Sequence, residues 1–200
     1  MLERILFNTT PQLLRQLNMP DTAGFTQNAI VSSATIKQRS KRPVLYLIIT
    51  NISKAANIRC LVRSAVAFGV KSFFIVGQKR FEFRTGSTDL PGILREQPLD
   101  MHYFDKMSDC VHYIHNVLSA KICGVEIVDS ARDVADKPFE GDTAIMMGNE
   151  GTGMSRKQLE ACDYFVRIGQ YGGGTASLNV YVAASIVMQS FNQWSRASCA

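Results

Sequence analysis

At 200 residues and 22.2 kDa, the chain has room for one domain of ordinary size and a short appendage, since single cores commonly run to roughly 100–200 residues. Hydrophobic residues make up 46% and charged residues 20%, which excludes a disordered chain, and no apolar run approaches the roughly 18–20 residues of a membrane-spanning helix. The net charge of +5 is segregated: residues 1–43 carry six Lys/Arg against Glu3 and Asp21, and residues 54–84 carry seven against Glu82 alone.

Residues 1–43 show weak helical spacing (Leu2, Ile5, Leu6, then Leu13, Leu14, Leu17) followed by a polar stretch, and are expected to form a basic N-terminal arm or helical extension. Their opening lacks an apolar block followed by small residues, which argues against a signal peptide and leaves an organellar presequence open. From Pro43 the pattern changes, and a second unit is expected over residues 44–200. VLYLIIT (44–50) is a β-branched apolar run of strand length, KAANIRCLVRSAVAF (54–68) is helical up to Gly69, and KSFFIV (71–76) is a second strand. Strand, helix, strand within so short a span makes a βαβ unit and therefore a parallel sheet.

The stretch 77–105, with Gly86, Pro91, Gly92 and Pro98, reads as a long irregular connection. A helix is expected over about 107–119, strands over about 121–127 and 143–147, and a short helix opened by a Ser155/Gln158 capping box. Strand YFVRI (164–168), the loop GQYGGGTA (169–176) and a helix over about 178–193 follow. The alternation predicts an α/β domain with helices on both faces of a mostly parallel sheet. Five cysteines without a C-x-x-C pair fit neither a disulfide framework nor a zinc knuckle, and point to reduced thiols in an intracellular, most simply cytoplasmic, protein.

Two glycine-rich loops follow strands: Gly148, Gly151 and Gly153 after TAIMM, and Gly169, Gly172, Gly173 and Gly174 after YFVRI. Ligands of open α/β sheets sit beyond the C-terminal strand ends, where such loops supply backbone groups, although ordinary turns are also built this way. A phosphate-cradling P-loop would need lysine where GNEGTGMS has Met154, and a dinucleotide fingerprint would need glycine at Arg156. An adenosine-containing ligand without a phosphate chain, such as S-adenosylmethionine, needs apolar walls and backbone hydrogen bonds instead.

Three segments in order resemble the SpoU/TrmH family of RNA 2′-O-ribose methyltransferases of the SPOUT superfamily. NIRCLVRSAVAFG (57–69) is similar to the family's N-x-x-x-x-x-R-x-A-x-x-F-G, MMGNEGTGMS (146–155) to M-G-x-E-x-x-G-[LM]-S, and IGQYGGGTASLNVYVAAS (168–185) to I-P-x-x-G…S-L-N-V-x-V-A. The likeness spans roughly residues 44–193; Gly169 stands where the family usually has proline, and the loop after it looks longer. The resemblance implies a C-terminal trefoil knot, a homodimer with the active site completed across the interface, S-adenosylmethionine as cofactor, no metal, and tRNA or rRNA as substrate. Carried over by motif position, Val125, Gly148, Gly153, Ile168 and Leu178 would bind the cofactor. Arg63, Asn57, Glu150, Ser177 and Asn179 would form the catalytic set.

Transfer of a methyl to a ribose hydroxyl is an in-line displacement in which positioning carries much of the catalysis. The family assigns the arginine at position 63 a general-base role, yet guanidinium is effectively always protonated, so Arg63 is better suited to clamp the neighbouring phosphate and orient the hydroxyl. Arg59 shares a helix face with Arg63 and, with Lys37, Arg39, Lys41 and Arg42 of the arm, is a candidate RNA contact or a solvated charge. Glu150 reads either as a loop carboxylate or as an orienting group, and Ser177 as a helix cap. His112 and His115 read as surface residues, and Tyr113, Phe104 and Trp194 as packing residues. A non-catalytic RNA-binding protein that keeps the fold is the rival reading; no membrane partner is expected.

Overall fold

A run that is apolar at every position suits a strand covered on both faces. Accordingly β1 (Leu45–Ile49) lies inside the sheet, each residue at most 3% exposed. The computed structural model describes residues 41–78, 81–84, 86–95, 98–172 and 177–199. Its other strands are β2 (Ser72–Val76), β3 (Met101–Phe104), β4 (Lys121–Val125), β5 (Arg132–Asp133), β6 (Thr143–Met147) and β7 (Tyr164–Arg167). They pair in the order β3-β2-β1-β6-β4-β7-β5, every pair parallel, with Leu47 opposite Phe73 on one side and Ile145 on the other.

Alternate residues of each strand face opposite sides, and two separate cores result. Leu47, Ile49, Phe73, Ile145 and Val166 pack under α1 (Ala55–Ala67) and α4 (Val180–Ala197). Tyr46, Ile48, Phe74, Ile122 and Met146 pack under α2 (Met107–Asn116) and α3 (Arg156–Ala161). Helix α1 forms because Ile58, Leu61, Val62 and Ala65 recur at helical spacing on one buried stripe. It stops where Gly69 takes φ +75° and Val70 N–H turns back to the Ala65 carbonyl at 2.9 Å.

Two expectations need correction. The connection 77–105 holds a 3-10 turn (Gly92–Leu94) and the edge strand β3, paired in parallel with β2. MHYF gave no strand signal because it is short and mostly half-buried, without strict alternation. The last helix begins at Val180, capped by Asn179, whose side chain accepts from Tyr181 N–H at 3.1 Å; Ser177 stands outside the helix. The expected packing roles of Phe104, Tyr113 and Trp194 are met: Tyr113 stacks near Phe74 and Phe104, and Trp194 near Phe139 and Phe191.

Chain direction across the sheet reverses between β1 and β6, since β2 and β3 lie on one side and the later strands on the other. That reversal opens a crevice beyond the C-terminal strand ends, the usual ligand position in such sheets. Most of the residues expected to bind the cofactor come from the loops around it, while Asn57 and Arg63 lie on α1.

Candidate functional site

The loop after β6 is shaped by its own side chains. Asn149 and Gly153 exchange backbone hydrogen bonds of 2.9 and 3.0 Å, and Asn149 Oδ1 accepts from Gly151 N–H at 2.9 Å and Thr152 N–H at 3.2 Å. Asn149 Nδ2 then crosses the crevice to donate to the Asn51 carbonyl (2.9 Å) and Ser53 Oγ (2.7 Å). Gly148 is required by close backbone approach: a Cβ there would lie 2.7 Å from the Gly153 carbonyl carbon and 2.8 Å from Met154 N.

Between this loop, the end of β4 and the start of α4 lies a cavity of about 370 Å³. All five expected cofactor residues line it: Val125, Gly148, Gly153, Ile168 and Leu178. They come from four chain segments, joined by Met147, Val180 and Ala183 as further apolar wall. Gly169 stands off this cavity, against Tyr171. Residues 173–176 of its loop lie outside the described residues.

Three of the expected catalytic residues form one hydrogen-bonded chain. Glu150 Oε1 accepts from Asn57 Nδ2 at 2.7 Å and from Lys54 N–H at 3.2 Å, while Oε2 accepts from Ser53 N–H at 3.1 Å. Asn57 is buried and its Oδ1 accepts from Asn179 Nδ2 at 3.3 Å, so the glycine loop, the start of α1 and the start of α4 are tied together. Burial works against the Glu150 carboxylate, but the bonds from Asn57, Ser53 and Lys54 outweigh it and hold the carboxyl below its usual range. Glu150 thus satisfies the N–H groups of Ser53 and Lys54 just ahead of α1, at a helix N-terminus where negative charge is favoured. Glu150 and Ser177 also line the cavity.

Arg63 is on the exposed face of α1, away from the cavity lining, and its guanidinium bonds to no described residue. Arg59, four residues earlier, donates to the Asp89 carbonyl at 2.8 Å, which gives it a structural partner in the 86–95 loop. Arg42 bonds Asn192 Oδ1 at 2.8 Å and Ser195 Oγ at 3.1 Å, so this arginine anchors the end of α4. Lys41 is exposed, and Lys37 and Arg39 lie outside the described residues, as does the arm apart from residues 41–43. His115 pairs with Asp163 at 2.9 Å and His112 meets Asn116 at 3.1 Å; no group of three His, Cys, Asp or Glu gathers among the described residues.

One residue of this site escaped the sequence. Glu126 lines the cavity one residue past β4 and accepts from Met154 N–H at 2.8 Å. Gln158 is foreseeable as half of a capping box, with Ser155 N–H donating to its Oε1 at 3.1 Å. Its further bonds, from Asn51 Nδ2 at 3.1 Å and to the Met147 carbonyl at 3.0 Å, are tertiary and leave no local pattern.

Comparison with known proteins agrees with this geometry. The chain is 28% identical over 158 residues to the 23S rRNA (guanosine-2'-O-)-methyltransferase RlmB of Coxiella burnetii, covering 77% of this chain and 60% of the relative. To an uncharacterized tRNA/rRNA methyltransferase of Mycolicibacterium smegmatis it is 28% identical over 152 residues, covering 73% and 45%. It therefore spans 60% or less of the length of these two relatives. The SpoU methyltransferase AviRb of Streptomyces viridochromogenes has the same fold, with a TM-score of 0.64 at 20% identity over 79% of this chain and 62% of AviRb. The A. aeolicus TrmH/SpoU tRNA modifying enzyme gives 0.63 at 20% identity, covering 80% and 78%. AviRb has also been solved with AdoMet bound. The SpoU rRNA Methylase family model matches residues 44–189, most of the chain, and the chain belongs to that family.

Proposed function

We propose that the protein is an S-adenosylmethionine-dependent methyltransferase acting on a ribose 2′-hydroxyl of tRNA or rRNA. The observation that carries this reading is the convergence of Val125, Gly148, Gly153, Ile168 and Leu178 on one cavity. The cavity fits an adenosine sulfonium, because Met147, Ile168, Leu178 and Val180 give it apolar wall and the absence of a side chain at Gly148 lets the loop fold back tightly beside it. S-adenosylmethionine, when bound, supplies an electrophilic methyl group; the protein must hold and orient the attacking ribose.

Glu150 is already bonded to Asn57, Ser53 and Lys54, so its role is to position the first turn of α1 rather than to take the hydroxyl proton. Arg63 is exposed on the same helix and free to grip an RNA phosphate with its fork of N–H groups. The substrate phosphate or water then accepts the proton. A homodimer and the trefoil threading belong to the same proposal, with the partner's surface completing the ribose site.

Titration calorimetry with S-adenosylmethionine separates this reading from that of a non-catalytic RNA-binding protein: no heat at millimolar ligand would favour the latter. Arg63→Lys is expected to keep RNA affinity and lower turnover by about 100-fold, because a point charge replaces a bidentate clamp. Full turnover in Arg63→Lys would refute the clamp. Mapping which nucleotide gains a 2′-O-methyl identifies the substrate.

A further inference from the structure

Glu126 stands one residue beyond β4 and no motif marks it, yet both of its carboxylate oxygens are engaged by backbone. Oε2 accepts from Met154 N–H at 2.8 Å and Oε1 from Ile127 N–H at 3.0 Å. Strands β4 and β6 are neighbours with Val125 opposite Met147, so the next residues, Glu126 and Gly148, leave the sheet side by side. The Glu126 N–H in turn donates to the Val166 carbonyl at 3.1 Å, which fixes it to the strand leading to Ile168.

The carboxylate also sits against the glycine at the loop's return. A Cβ at Gly153 would lie 2.7 Å from Glu126 Oε2, with φ +68° adding strain, and a Cβ at Gly148 would lie 3.1 Å from the same oxygen. Loop 148–154 is therefore gripped twice. Asn149 holds it to the β1 side through Asn51 and Ser53, and Glu126 holds its return to the β4 side through Met154. No Lys or Arg among the described residues forms an ion pair with Glu126. Among the described residues its hydrogen-bond donors are instead the Met154 and Ile127 N–H groups, and a carboxylate strengthens both bonds.

We infer that Glu126 is a positioning residue for the cofactor: it clasps the glycine loop from β4 and so sets the backbone wall of the cavity. This rests on the reading of that cavity as the S-adenosylmethionine site. The test is calorimetry of S-adenosylmethionine with the wild-type protein, Glu126→Ala and Glu126→Gln, alongside RNA affinity at fixed salt, thermal midpoints and steady-state kinetics.

Glu126→Ala should weaken cofactor binding by about tenfold or more, the effect of losing one charge-assisted hydrogen bond. KM for the cofactor should rise while kcat at saturation and RNA affinity stay near wild type. Glu126→Gln keeps a carbonyl acceptor for Met154 N–H, gives up only the local bond from Ile127 N–H, and should recover to within about threefold of wild type. Gly153→Ala should cost less affinity in the Glu126→Ala background than in the wild type, because the clashing oxygen is gone.

Wild-type affinity in Glu126→Ala would overturn the inference. So would Glu126→Gln binding as weakly as Glu126→Ala, since the charge would then act on the ligand and not on the loop. Equal costs of Gly153→Ala in both backgrounds would overturn it as well. Failure of the wild-type protein to bind S-adenosylmethionine would instead remove the reading of the cavity, and this inference with it.

Discussion

Glu150 has the positioning role proposed above because its carboxylate is bonded within the protein. Against the cost of burial, its three accepted hydrogen bonds hold its carboxyl below the usual value of 4.5, so the folded protein binds that proton less tightly than the unfolded chain. The stabilisation is therefore fully present above the unfolded pKa and is lost as pH falls through the lower folded one. Glu150→Gln should cost about 1 kcal/mol at pH 7, discounted because the group is only partly buried. The gap in thermal midpoint between wild type and Glu150→Gln should narrow below pH about 4.5. A gap that stays constant down to acid unfolding would show that the charge is not what the α1 turn uses. Asn57 and Asn179 were legible because their spacing matches family motifs. Glu126 was not, since a lone glutamate after a strand carries no pattern until the fold brings Met154 N–H against it.

At the scale of elements, what was legible followed burial. β1, β2 and β6 are apolar at almost every position and their strand character is unmistakable, whereas β3 at the sheet edge and the two-residue β5 are fixed by pairing rather than by composition. Helix α4 combines two faces. Val180, Ala184, Val187, Met188 and Phe191 are buried, while Val182 and Ile186, one turn apart, are 36% and 37% exposed beside Tyr171 at 93%. Together with Ser64 and Phe68 of the α1 side they line a shallow, largely apolar hollow, and this is the face on which the homodimer proposed above would seat a second copy of the chain. In the proposed homodimer a carboxylate at position 186 would have to be desolvated within an apolar contact, so Ile186→Glu is expected to give a monomer by sedimentation at micromolar protein, with cofactor affinity retained and turnover lost. An Ile186→Glu protein that sediments like wild type would exclude this face as the dimer contact.

Across the whole molecule, positive charge is concentrated in two stretches, and the structure has already committed part of it. Arg42 bonds Asn192 and Ser195, and Arg59 the Asp89 carbonyl, so of the cations singled out as RNA contacts Arg63, Lys41 and the arm's Lys37 and Arg39 are those to be tested against phosphate. Deleting residues 1–40 should weaken RNA binding while S-adenosylmethionine affinity is unchanged, because every described residue that lines the cavity lies beyond position 124. The diagnostic is the salt dependence: each phosphate that the shortened chain no longer neutralises should lower the slope of log affinity against log salt by roughly 0.7 to 0.9. Arg42→Ala is the matched control. Removing this arginine should lower thermal stability, because its bonds to α4 are gone, and leave the salt slope where it was. If Arg42→Ala flattens the slope as much as the deletion does, the arginine faces RNA in the complex and gives up its helix partners to do so.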